Sequence, residues 1–164
     1  MKYSDPVSAM ESTGEVESIA FLKYWVTSRK LNKYLETTIY SRTKMSSIQG
    51  TCLHALSVNS EGMRPTELAR WLITERHNIT TLIRRMEKSG LVKIKRNKNN
   101  QRDVRVSITD KGKKVQSEAV PIAREIVSEL MSSFTNDDLI QMQRMCKMMS
   151  ENTYKSKGEI RKSI

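Results

Sequence analysis

The sequence is short of cysteine, of long apolar runs and of clustered acids, and each shortage removes a class of protein. Its two cysteines, Cys52 and Cys146, stand far apart in otherwise helical text. No disulfide framework can be read from them, and a reduced, cytoplasmic protein is expected. No run of eighteen apolar residues occurs, and Glu and Lys stud the first thirty residues, which speaks against a membrane span or a secretory signal. Two histidines and two scattered cysteines offer no ligand set at a workable metal spacing. No nucleophile–base pair, Gly-rich phosphate loop or group of acids stands out, so neither an enzyme nor a cofactor is expected. No internal repeat is visible.

What the chain does have is positive charge, and it is concentrated. The formal net charge is +11 over 164 residues. Between Arg76 and Lys114, thirteen Lys or Arg face three acids (Glu87, Asp103 and Asp110), so this segment holds ten of the eleven surplus charges. A merely solubilising surface has no reason to be confined to one segment; a phosphate-binding footprint has. The length allows one core with helical extensions.

The stretch from Arg64 to Gly112 organises the rest. Pro65 suits the first turn of a short helix, with Leu68, Ala69 and Leu72 inward. Thr74 is the expected N-cap of a second helix, Glu75 to Ser89. Ile79, Leu82, Ile83 and Met86 form its buried face, at i, i+3, i+4 and i+7. Opposite them stand His77, Asn78, Thr80, Thr81, Arg84, Arg85 and Lys88, all hydrogen-bond donors. Gly90 and Leu91 supply the left-handed stop and its apolar companion. Strand-like LVKIKRN and DVRVSIT follow, around a polar tip expected at Lys98–Arg102.

The flanks read as helices. Residues 1–14, polar and without apolar pattern, are expected to form a loose arm. From 15 to about 42 runs a helix that is apolar on more than one side and carries five of the nine aromatic residues. It is expected to be half core and half subunit interface. Ser46 and Gln49 have capping-box spacing for a helix reaching Val58, whose inward face would be Ile48, Cys52, Leu53 and Leu56. Thr109 would cap a helix from Asp110 to about Phe134, bent or interrupted at Pro121. Thr135 and Asp138 would cap a last helix with Leu139, Met142, Met145, Cys146 and Met149 on its apolar face, ending near Tyr154 before a frayed basic tail. Both cysteines read as inert interior residues. The fold class is thus mainly α with a small β-hairpin wing. A winged helix–turn–helix over 45–112 lies between dimerisation helices at 15–44 and 113–154, with a tail at 155–164. Leftover apolar stripes at both ends call for a two-fold homodimer.

In the order and spacing of MRPTELARWL, NITTLIRRMEKSGLV and KRNKNNQRDVRVSITDKG, the chain resembles the multiple-antibiotic-resistance repressor (MarR) family of bacterial transcription regulators. The resemblance implies a recognition helix in the major groove and a wing in the adjacent minor groove. Arg102 would be the wing's invasive arginine; Asn100 stands where the family has an acid, and Ile94 where it often has an arginine. It also implies a repressor released from DNA by a small aromatic or phenolic molecule bound between the dimerisation helices and the winged unit. Tyr24, Trp25, Tyr34 and His54 are the candidates to line that pocket. Relatives that sense oxidants carry a cysteine near the start of the first helix, which this chain lacks. Redox sensing, activation, an architectural role and a protein-interaction module are the competing readings.

The chemistry of a duplex assigns expected roles. Asn78 pairs with adenine and Arg84 with guanine O6 and N7. Thr80 and Thr81 meet phosphates or a thymine methyl, and His77 does either. Lys88, Lys93, Lys95 and Lys98 are expected to neutralise phosphates and position the domain, Arg76 and Arg85 to belong to the DNA-binding face of the recognition helix, and Arg102 to enter a narrow minor groove. The expected partner is double-stranded DNA carrying an inverted-repeat operator.

Overall fold

In the computed structural model, the backbone is described for residues 15–97 and 100–162, and side chains for 15–96 and 104–153. The chain divides into two compact units, Met1–Ile126 and Val127–Ile164. The first holds α1 (Val16–Thr43), α2 (Ser47–Ser57), α3 (Pro65–Trp71), α4 (Arg76–Lys88), the hairpin β1 (Val92–Asn97) and β2 (Asn100–Ile108), and most of α5 (Asp110–Leu130). The second holds the end of α5 and α6 (Asn136–Lys162). This is the expected mainly helical fold with one hairpin.

The core of the first unit is built where the apolar periodicities of α2, α3, α4 and β2 meet. Leu53, Leu56, Leu68, Ile79, Met86 and Val106 are its largest fully buried side chains. Ile48 does not join them: it is exposed, one turn before the buried run of α2 begins at Cys52. The start of α2 is instead held by polar bonds. The Ser46 and Gln49 side chains exchange capping bonds with each other's backbone N–H, and the Glu36 carboxylate accepts from the Ser47 N–H at 3.0 Å. Those contacts spend orphan donors that the first turn of any helix leaves over.

β1 and β2 pair antiparallel from Val92↔Ile108 to Arg96↔Val104, with a shift before Asn97↔Asn100. The ladder thus reaches further out than expected, and the tip narrows from five residues to the two between Asn97 and Asn100. A third partner was not foreseen. Met63 and Val106 exchange both backbone hydrogen bonds, at 2.9 and 2.8 Å, and so tie the base of the wing to the entry of α3. Gly62 makes this approach feasible, because a Cβ there would lie 2.7 Å from the Val106 carbonyl oxygen.

Three other expectations change. α5 continues through Pro121 to Leu130, where turns take over short of Phe134. The last helix continues past Tyr154 to Lys162, because neither a proline nor a capping glycine stops it. Cys146 is exposed rather than interior, since the Met-rich face of α6 has no covering partner within its own unit. Cys52 is buried, and burial pushes its thiol up to about 11.

Candidate nucleic-acid interface

α4 is fixed at both ends before its outer face is considered. At its start the N-cap is Glu75, extended and without a side-chain capping bond among the described residues. Thr74, the expected cap, is used otherwise: its N–H donates to the Ala69 carbonyl at 3.0 Å, and the Ile73 N–H to the Arg70 carbonyl at 3.2 Å. These two bonds close α3 in a Schellman motif. At the far end of α4 the same motif recurs. Leu91 N–H donates to Met86 O at 2.9 Å and Gly90 N–H to Glu87 O at 2.8 Å, with Gly90 at φ +72°.

The wing and α5 are tied to that end. Thr109 donates its hydroxyl to the Gly90 carbonyl at 2.7 Å and accepts from the Gly112 N–H at 3.0 Å, capping α5. Lys111 Nζ donates to the Ser89 carbonyl at 2.8 Å, and the Glu87 carboxylate accepts from the Ile94 N–H at 3.3 Å. Gly112 is required here, because a Cβ would run into the Leu91 carbonyl and lie 2.8 Å from Ile108.

With Ile79, Ile83 and Met86 buried, α4 turns Arg76, His77, Asn78, Thr80, Thr81, Arg84, Arg85 and Lys88 outward, and all eight are exposed. The hydroxyls of Thr80 and Thr81 donate back to the carbonyls of Arg76 and His77, leaving their lone pairs and methyls to face outward. Lys93 and Lys95 are exposed on β1. Lys98 lies outside the described residues. So do the side chains of Asn100 and Arg102, whose backbones fall in β2 rather than in the tip.

The helix face divides in two. Arg76, Thr80, Ile83 and Arg84 line a cleft of about 270 Å³, closed on the other sides by Arg64 at the start of α3 and by Ile94 and Arg96 of β1. Sequence reasoning assigned no role to Arg64 or Arg96. Arg96 carried a usable signal, since two residues along a strand from Ile94 puts it on the same face. Arg64 carried none, because the cleft joins segments far apart in the chain.

A second cavity, of about 320 Å³, lies between α1, α2, α3 and α5. Ile39, Met45, Ala119 and Val120 give it apolar walls, while Ser47, His54, Trp71 and Gln116 supply polar or aromatic groups. The Trp71 ring meets the His54 ring edge-on at 5.9 Å. The Ser47 hydroxyl is buried and has no hydrogen-bond partner among the described residues. Of the four candidates for a ligand pocket, His54 lines this cavity. Tyr24, Trp25 and Tyr34 are exposed elsewhere on α1, with Arg29 stacked 5.3 Å from the Trp25 ring centre. Trp71, Gln116 and Ser47 were not foreseen, because they converge from three separate helices.

Among the described residues no group of three His, Cys, Asp or Glu could hold a metal ion, and no helix is long and apolar enough to cross a membrane.

Residues 45–112 match the winged helix DNA-binding domain family. The transcriptional activatory protein BadR of Rhodopseudomonas palustris is 28% identical over 135 residues, which cover 80% of this chain and 77% of BadR. Two solved structures share the fold. AbsC, a MarR family transcriptional regulator from Streptomyces coelicolor, has a TM-score of 0.75 at 22% identity, over 85% of this chain and 95% of its own. The organohalide-sensing regulator RdhR-CbdbA1625, solved in its 2,4-dichlorophenol-bound form, has a TM-score of 0.76 at 20% identity, over 93% of this chain and 89% of its own.

Proposed function

We propose that this chain, a winged helix DNA-binding transcriptional regulator of the MarR type, grips an inverted-repeat operator as a homodimer and is released from it by a small aromatic ligand. The observation that carries the reading is the outer face of α4. Among the described residues, Arg76, Arg84, Arg85 and Lys88 enter no ion pair, and they stand on a helix whose C-terminal end is closed by the Gly90–Leu91 turn beside the wing. A folded chain gains nothing internally from such a row. A major groove pairs with it directly.

Dimerisation is supported by α1. No residue of this 28-residue helix is buried, and Phe21, Tyr24, Trp25 and Tyr40 are all exposed. Aromatic surface on that scale calls for a covering partner, and a two-fold copy would also set two recognition helices on successive turns of one duplex face.

The ligand reading rests on the second cavity, whose volume suits one substituted ring. RdhR-CbdbA1625, of the same fold, holds 2,4-dichlorophenol. A phenolic hydroxyl would give the unpartnered Ser47 Oγ its missing bond. Its ring would press on Trp71, the last residue of α3, and so shift the helix–turn–helix against α2.

Ligand release of a repressor is the proposed sign of regulation. Activation is the second reading, favoured by the relationship to BadR. Selection of bound duplexes from a random pool, followed by titration with 2,4-dichlorophenol, tests both halves. The expected product is an inverted repeat with half-sites about 10 base pairs apart or a multiple of that, bound more weakly as the phenol is added. Filling the cavity with Ala123→Phe should abolish the phenol effect and leave duplex binding intact. Absence of any sequence preference would refute the DNA reading, and a promoter fusion reports the sign.

A further inference from the structure

The cleft between α3, α4 and the wing assigns Arg84 a different partner from the guanine expected of it. Around α4, Arg84 shares a side with Arg76 and Thr80, at i, i+4 and i+8, all three lining the cleft. Arg64 and Arg96 close it from the other elements, and no acidic residue lines it among the described residues. Its floor is apolar, with Ile83 and Val106 buried beneath the guanidinium groups. Glu87, the acid on this part of α4, is engaged with the Ile94 N–H. The Thr80 hydroxyl proton is committed to the Arg76 carbonyl, which leaves the guanidinium groups of Arg76, Arg84 and Arg96 as the donors that can hold an anion.

Shape then decides which part of a duplex can enter. Base edges lie on the floor of a groove and are reached only by a convex element pushed into it. Phosphates stand outermost on the duplex and fit a concave one. A charge-assisted, bidentate contact is the strongest bond a guanidinium makes to a phosphate, and an apolar floor that limits water strengthens it further.

We propose that this cleft seats one backbone phosphate of each bound half-site, held by Arg76, Arg84 and Arg96, so that Arg84 positions the domain while His77, Asn78, Thr81 and Arg85 face the bases. The inference rests on the DNA-binding reading and sharpens it.

The test compares the duplex recovered from a random pool with a scrambled duplex of equal composition, over a range of salt concentrations. Arg84→Ala should weaken both by the same factor and lower the slope of log affinity against log salt by about 1.8, about 0.9 for the phosphate in each half-site. Arg84→Lys, which keeps the charge but loses the fork that matches a guanine edge, should preserve both the slope and the ratio between duplexes. A neutral methylphosphonate walked along the selected duplex supplies a readout that does not depend on a variant's fold. One position per half-site should cost the wild-type chain affinity and cost Arg84→Ala distinctly less, because only the contacts from the remaining arginines are then lost. The proposal is overturned if Arg84→Ala narrows the preference for the selected duplex, or if no such methylphosphonate position exists. A wild-type chain that ignores both duplexes would instead bring down the DNA-binding reading itself.

Discussion

Ile73 offers a sharp test of the backbone reasoning, because the expected result runs against intuition. It sits in the turn of the helix–turn–helix with φ +50°, in the left-handed region, and its side chain is 94% exposed. The two bonds that close α3 demand that conformation at this position, as they demand it of Gly90 at the end of α4. A left-handed conformation costs an L-residue on the order of 1–2 kcal/mol, and a β-branched one tolerates it poorly. Glycine escapes that cost but loses about 0.5–1 kcal/mol through its freer unfolded chain. The exposed side chain contributes almost no burial, and Ile73 lies outside the helix, so no propensity term opposes the change.

Ile73→Gly should therefore stabilise the protein by about 0.5–1 kcal/mol, a rise in Tm of roughly 1–4 °C for a chain of this size. Urea unfolding at fixed protein concentration is the assay, with the midpoint rising at constant slope. Ile73→Ala, which relieves the branching but not the left-handed cost, should show little or no gain. A loss of stability in Ile73→Gly beyond about 0.5 kcal/mol would refute the strain account and point to a contact made by the isoleucine side chain.

Two further outcomes are expected. Thr109→Val removes the hydroxyl that joins the Gly90 carbonyl to the Gly112 N–H, and should cost about 1–2 kcal/mol in the same unfolding assay. Thr109→Ser, which keeps both bonds, should cost less than half of that, and equal losses would show that the methyl group matters more than the cap. In the folded chain the Cys52 thiol, buried and pushed up to about 11, should resist a thiol reagent at pH 8 until denaturant is added, while the exposed Cys146 reacts; rapid double labelling would contradict the packing of α2.

The legible parts of this protein were those written in short range. The buried stripe of α4, its Gly90–Leu91 stop, the Ser46/Gln49 and Thr135/Asp138 boxes and the Thr109 cap each depend on residues three to eight apart, and all appear in the structure. The end of α3 was less legible, because Ile73 occupies a position where glycine would have announced the turn, and the threonine that looks like a cap, Thr74, belongs to the closure of α3 while Glu75 is the N-cap of α4. The apolar stripe around Cys146 predicts an interior position, yet Cys146 is exposed, because a stripe records only the need for cover and not what supplies it.

By itself the sequence determined the element order, the capped starts at Ser46, Thr109 and Thr135, the stop at Gly90 and the location of the surplus charge, because periodicity, capping and composition act within a few residues. Tertiary structure alone decided that Met63 joins the wing, that Arg64 and Arg96 meet Arg84 around one cleft, and that Ser47, Trp71 and Gln116 enclose a cavity. Those meetings join segments separated by tens of residues. Chain closure across such distances leaves no local pattern, so only the packed fold reveals which side chains come together.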